Sequence, residues 1–301
     1  MVRSLCILFV MGCTLSVYAG ETAPAPIKGG VKAEAFEEKK TAPDKSMYHL
    51  FKPTPKDQMR ELSTDRPDKT ESPYTVDAGH FQFESDVFSF SKDSETHTRG
   101  YSIMSTNFKV GLTNRVDLQL VFEPYNYSRS HERDEDGVRF RETAEGFGDT
   151  TVRLKYNFWG NDCGNTAFGI MPFVKFPINQ NDQGNNRVEG GVILPFAASL
   201  PWGVGLGAMT EFDFVYNDDD NNYDTEFVNT ITFTHDVVGS LGAYVEFFSA
   251  VSTDGSPWVG TVDGGFTWGI TDDIQLDFGV NVGVTKSAED INPFLGLTMR
   301  F

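Results

Sequence analysis

The chain ends on Pro293-Phe294-Leu295-Gly296-Leu297-Thr298-Met299-Arg300-Phe301, and the period of this stretch decides how the rest is read. In an extended strand successive side chains alternate between two faces. Leu295, Leu297, Met299 and Phe301 therefore point one way, and Phe294, Gly296, Thr298 and Arg300 the other. A soluble sandwich can also end on such an edge strand. What separates a sandwich from a barrel is whether the preceding chain supplies an even number of similar strands.

From His80 onward the chain repeats one unit, an alternating stretch followed by a turn. The first apolar face is Phe81, Phe83 and Val87. A later one is Thr150, Val152, Leu154, Tyr156 and Phe158, opposite Thr151, Arg153, Lys155 and Asn157. Twelve such units are counted through to the C-terminus, an even number, so both chain ends lie on one side. Every second connection is short: Thr113-Asn114-Arg115, Gly160 to Asn165, Pro201-Trp202-Gly203, Asp236 to Ser240, and Thr271-Asp272-Asp273. The alternate connections are mostly longer and polar. A sandwich would need its apolar faces to meet, whereas a closed barrel in lipid pairs every backbone group internally. The expected fold is all-β, a transmembrane antiparallel up-and-down barrel of about 12 strands in the outer membrane of a Gram-negative-type bacterium. Phe301 is its barrel-closing terminus. Its expected partners are outer-membrane lipid and lipopolysaccharide, with the barrel-assembly machinery reading the final strand.

Composition agrees. Twenty-six phenylalanines coexist with 25 basic and 43 acidic residues in 301, a net charge of −18. That balance excludes nucleic-acid binding. Arg3, the apolar run Leu5 to Val17, and Val17-Tyr18-Ala19 before Gly20 read as a signal peptide over 1–19. Val10-Met11-Gly12-Cys13 leaves a lipoprotein reading open. Of three cysteines only Cys163 lies beyond this region, so the mature chain has no internal disulfide. Residues 20–63 read as a flexible periplasmic lead-in, 64–79 as an Asp-Arg-Pro segment and 80–301 as the barrel.

The faces opposite the apolar stripe line the lumen. They carry Glu84, Asp86, Asp117, Glu123, Glu189, Glu211, Asp213, Glu246, Asp263 and Asp277 against Lys109, Arg153, Lys155, Lys175 and Arg300. Eight strands leave a barrel filled by its own side chains and sixteen leave an open channel, so twelve imply a narrow or plugged conduit. The segment holding Asp65, Arg66, Asp68, Lys69 and Glu71 is the candidate plug, with Arg66 and Lys69 meeting surplus carboxylates. A solvated tail is the alternative. Tyr125, Phe173, Tyr244 and Phe248 are candidate lumenal aromatics. The mixed-charge run around Arg129 to Arg141 reads as a mobile external loop, and Asp218-Asp219-Asp220 as a solvated turn without EF-hand spacing. Five dispersed histidines give no metal or catalytic constellation, so no cofactor, metal or reaction is expected.

Leu62-Ser63-Thr64-Asp65-Arg66-Pro67-Asp68-Lys69-Thr70-Glu71-Ser72-Pro73, continuing to Gly79-His80-Phe81-Gln82, resembles the MetA-pathway phenol-degradation family. Gly111 to Leu118 and Gly146 to Tyr156 extend the likeness. The resemblance implies an outer-membrane barrel with a transporter-like role for small organic compounds, aromatic ones among them. The family name is a poor guide to substrate. A filled structural or surface-interaction barrel presenting its loops is the alternative function.

Overall fold

In the computed structural model, residues 44–133, 139–181, 183–218 and 221–301 are described. The signal peptide expected at 1–19, the lead-in over 20–43, Asp219 and Asp220 lie outside them. Fifteen strands occur among the described residues. They are β1 (Phe81–Asp93), β2 (Thr98–Ile103), β3 (Ser105–Thr113), β4 (Val116–Phe122), β5 (Tyr125–Arg133), β6 (Arg139–Gly146), β7 (Thr150–Trp159) and β8 (Thr166–Phe176). They continue with β9 (Glu189–Leu200), β10 (Val204–Asn217), β11 (Asn222–Val238), β12 (Leu241–Ser252), β13 (Val259–Thr271), β14 (Ile274–Gly283) and β15 (Ile291–Arg300).

Neighbours pair antiparallel, and β15 returns to β1, so twelve positions close into a barrel. The closing register sets Gln82 opposite Arg300 and Ser85 opposite Leu297. Phe301 exchanges backbone hydrogen bonds with Phe81 at 2.8 and 3.1 Å. His80 bridges the carbonyls of Phe301 (2.9 Å) and Thr54 (2.8 Å), tying the seam to the N-terminal segment.

The excess of strands over twelve has a local cause. β2 and β3 are one wall strand broken at Met104, which has a positive φ of 59°. β4 and β5 break at Glu123-Pro124, where proline has no N–H to give a ladder. β6 and β7 break at Phe147-Gly148-Asp149. Beside them β1 carries a bulge at Val87, where the register slips between Asp86 and Phe88. The bulge shifts phase, so Phe88 and not Val87 continues the outward face. The upper pieces β2, β5 and β6 continue as a sheet extending from β1. Of the expected mobile loop from Arg129 to Arg141, residues 129–133 and 139–141 pair as strands of one hairpin, their alternating polar residues completing a ladder, and 134–138 lie outside the described residues.

Burial is inverted relative to a soluble protein. Lys155 is 0% exposed while Leu154, beside it on β7, is 43% exposed. Leu118, Leu120, Phe158, Phe233, Phe247, Phe266, Phe278 and Leu295 likewise face outward. A contiguous belt of this size far exceeds what a water-soluble surface tolerates, and burying it at roughly 25 cal/mol per Å² requires lipid. The barrel resides in the outer membrane.

Candidate functional site: a charged hairpin in the lumen

Residues 44–63 are not a loose lead-in. Lys45 Nζ pairs with Asp162 (2.8 Å) and Asp77 (3.4 Å), and Arg60 joins the same two carboxylates. Leu50 N–H donates to the carbonyl of Leu112 at 2.9 Å and Thr54 N–H to Ala78 at 2.9 Å. These bonds fix the segment across the periplasmic end, where the expectation of flexibility fails.

Above it, the chain rises into the barrel and turns back. Ser72 N–H donates to Asp65 Oδ1 at 2.9 Å, and the hydroxyls of Ser63 and Ser72 meet at 3.0 Å. This crosslinks the two arms of a hairpin whose tip is Pro67-Asp68-Lys69. Prolines and charges exclude a regular element here, so the backbone groups find lumenal side chains instead. Asp65 N–H donates to Glu84 (3.0 Å), Lys69 N–H to Glu246 (2.8 Å) and Val76 N–H to Asp117 (3.0 Å). Asn157 Nδ2 donates to the Pro73 carbonyl at 2.9 Å.

The charges interlock with the wall. Arg66 Nη1 lies 2.8 Å from Asp86, and its Nη2 lies 2.8 Å from Asp277, which is fully buried. Asp65 accepts from Lys155 at 2.7 and 2.9 Å and pairs with Lys109, which also meets Glu84. Glu71 pairs with Arg153 at 2.5 Å. The sequence expectation concerned plug cations meeting wall acids. The reverse pairs, Asp65 with Lys109 and Lys155 and Glu71 with Arg153, went unread.

Glycines make room for the hairpin. A Cβ on Gly111 would lie 2.0 Å from the Asp77 carbonyl oxygen, and one on Gly296 would lie 2.1 Å from Arg66 Nη2. Burial raises the Glu71 carboxyl to about 7, helped by Asp65 and opposed by Arg153. Burial would also raise Asp65, but Lys109 and Lys155 hold it well below the usual carboxylate range. Asp68 is pushed up by burial and by Glu246.

The remaining sequence-assigned residues make no ion pair with residues 64–79 among the described residues, although Glu211 lies near the Glu71–Arg153 pair. Lys175 pairs with Glu189 at 2.5 Å, and Glu123 accepts from Asn126 at 2.6 Å. Arg300 holds Asp273 at 2.8 Å and donates to the Arg60 carbonyl at the periplasmic end. Asp213 keeps one carboxylate oxygen without a hydrogen bond, and it and Glu211 share the inward face of β10 with Met209. Tyr125 does not face the lumen. It packs beside Tyr101, which stacks on the outward Phe88, because the β4–β5 break resets its side. Phe173 and Phe248, expected as lumenal aromatics, belong to an apolar wall whose aliphatic members were not foreseen: Met171, Ile193, Met209, Val228 and Ala250 pack together with them and with Val259.

Residues 64–301 match the family described as "Putative MetA-pathway of phenol degradation". The chain belongs to this family. Its barrel is similar to that of an outer membrane channel from Pseudomonas putida F1, with a TM-score of 0.58, 12% identity, and 79% of this chain and 100% of that one covered. A second similar structure is the transport unit of the autotransporter AIDA-I from Escherichia coli, with a TM-score of 0.41, 12% identity, and 74% and 88% covered. No curated protein matches the sequence. At 12% identity the likeness to the Pseudomonas putida channel is one of fold alone.

Proposed function

We propose that this family member is an outer-membrane channel for small organic solutes, held shut at rest by the hairpin over residues 64–79. The observation that carries the reading is the way the hairpin is held. Its side chains and backbone are bound by hydrogen bonds and ion pairs to wall residues whose apolar equivalents would serve a permanent core as well. Buried ion pairs contribute little net stability compared with apolar packing, so a permanent filling has no need of them. A removable one does, because each charged partner is rehydrated when the hairpin leaves. The carboxylate excess of the wall favours cationic or polar solutes over anions.

The filled structural barrel is the second reading, and one observation favours it. Met171 and Ile193 in the lumen are 0% and 1% exposed, so that side of the conduit is closed by its own side chains. Swelling of proteoliposomes in small neutral and charged solutes separates the two. Solute-dependent swelling that increases in Arg66→Ala supports the channel, and absence of swelling in both proteins supports the filled barrel.

A further inference from the structure

Two cations at the hairpin tip rest on aromatic rings, and their seats differ. The Arg66 guanidinium lies 5.6 Å from the Phe294 centroid and is locked by Asp86 and Asp277. Lys69 Nζ lies 4.3 Å from the Phe248 centroid, with one long hydrogen bond of 3.4 Å to Thr261 and no salt bridge among the described residues. Burial pushes the Lys69 ammonium's pKa down, against the pull of Asp263, Glu246 and Glu289. Lys69 is a weakly held occupant.

The seat offers more than Lys69 uses. Glu246 is engaged by the Lys69 N–H at 2.8 Å and by the Thr70 hydroxyl. Asp263, opposite Glu246 in the ladder and only 3% exposed, faces the Glu246 carboxyl and the Tyr244 hydroxyl, yet neither carboxylate oxygen receives a donor in good hydrogen-bond geometry. The buried Tyr244 hydroxyl, on the same inward face, lies beside Asp263 without reaching good hydrogen-bond geometry. A buried carboxylate whose only neighbours are a second carboxyl and one poorly aligned hydroxyl is costly, and it marks a place where a better donor fits. Phe248 also borders the apolar strip.

We infer that Phe248, Thr261, Asp263 and Tyr244 form a binding site for a small organic cation, a primary ammonium bearing an apolar group, which competes with Lys69 for the seat. The ring face attracts the ammonium, Asp263 accepts its N–H groups, and the strip beside Phe248 takes the substituent. Filling the seat displaces the hairpin tip, so this solute class opens its own path. The inference rests on the channel reading for the route by which solute arrives.

The test is calorimetric titration of the refolded full mature chain in detergent with benzylammonium chloride, and with benzyl alcohol as the neutral match. Folding is verified by heat-modifiable gel migration. Lys69→Met should bind benzylammonium at least tenfold more tightly than wild type, and adding Phe248→Leu should lose at least fivefold. Equal affinity in wild type and Lys69→Met, or benzyl alcohol binding as well as benzylammonium, would overturn the site. If Lys69→Met does not fold, the wild type decides the matter. Saturating benzylammonium, and not benzyl alcohol, should accelerate amide exchange over residues 66–70, and unchanged exchange would overturn the proposal. Binding is read without current. Binding without solute flux would fault the channel alone, and flux without binding would fault the site alone.

Discussion

Removing the Arg66 guanidinium should unseat the hairpin while leaving the barrel closed. Arg66→Ala deletes two ion pairs at 2.8 Å and strands Asp277, which is fully buried. Breaking a buried pair by removing one partner costs about 3–5 kcal/mol, because an uncompensated charge remains. Proton uptake by the stranded carboxylate limits the loss, so about 3 kcal/mol is the working figure. At 1.36 kcal/mol per tenfold, the hairpin's opening equilibrium rises on the order of 10²-fold. The assay is amide exchange over residues 62–76, with β9 to β12 as internal reference, since local opening is measured independently of global unfolding. Pairing Arg66→Ala with Asp277→Ala should recover much of the protection, because both partners are then gone. Exchange in Arg66→Ala within threefold of wild type would refute the reasoning.

Further perturbations follow from the same contacts. Gly111→Val should displace the hairpin base, since its Cβ would lie 2.0 Å from the Asp77 carbonyl; steady current should rise with heat-modifiable migration retained. Raising pH from 5 to 8 should loosen the hairpin. A carboxyl whose seated pKa is raised, as for Glu71 from 4.5 to about 7, favours the seated state fully below 4.5 and loses that contribution progressively as pH rises from there through 7. Asp68, raised in the same direction, adds to the effect, while Asp65 is ionised throughout this range and does not change. Open probability should therefore climb between about pH 5 and 7 and level off above, and a flat or falling profile over that interval would contradict the assignment. Deleting Phe301 removes the closing hydrogen bonds to Phe81 and His80, and should lower the folded fraction on refolding into detergent.

The barrel was legible because its signal is the simplest a sequence carries. Leu154 and Lys155 differ in exposure as an alternating pattern in lipid demands, and the tight turns at Asn114, Trp202 and Asp272 mark the periplasmic side. Position along the strand gave the direction of Lys109, Asp117, Arg153 and Asp277, but not their partners. The partners lie far away in sequence, as with Arg66 and Asp277, and pairing across a lumen leaves no periodicity. The breaks at Met104, Pro124 and Gly148 escaped notice singly. They matter only because three neighbouring strands break side by side, which is a property of the ladder and not of any one strand. The apolar strip was hidden differently. Met171, Val228 and Ala250 occupy inward positions that alternation marks, but a scattered apolar residue on an otherwise polar face gives no sign of the neighbours it meets across the ladder.

The central claim is that a movable hairpin closes an otherwise passable barrel. Single-channel conductance of the refolded mature chain in a planar bilayer, with and without residues 20–76, tests it most directly. Low or brief conductance in the full chain, rising to a steady larger level on truncation with the barrel still folded, is the predicted result. Equal conductance in both forms, or none in either, would contradict it.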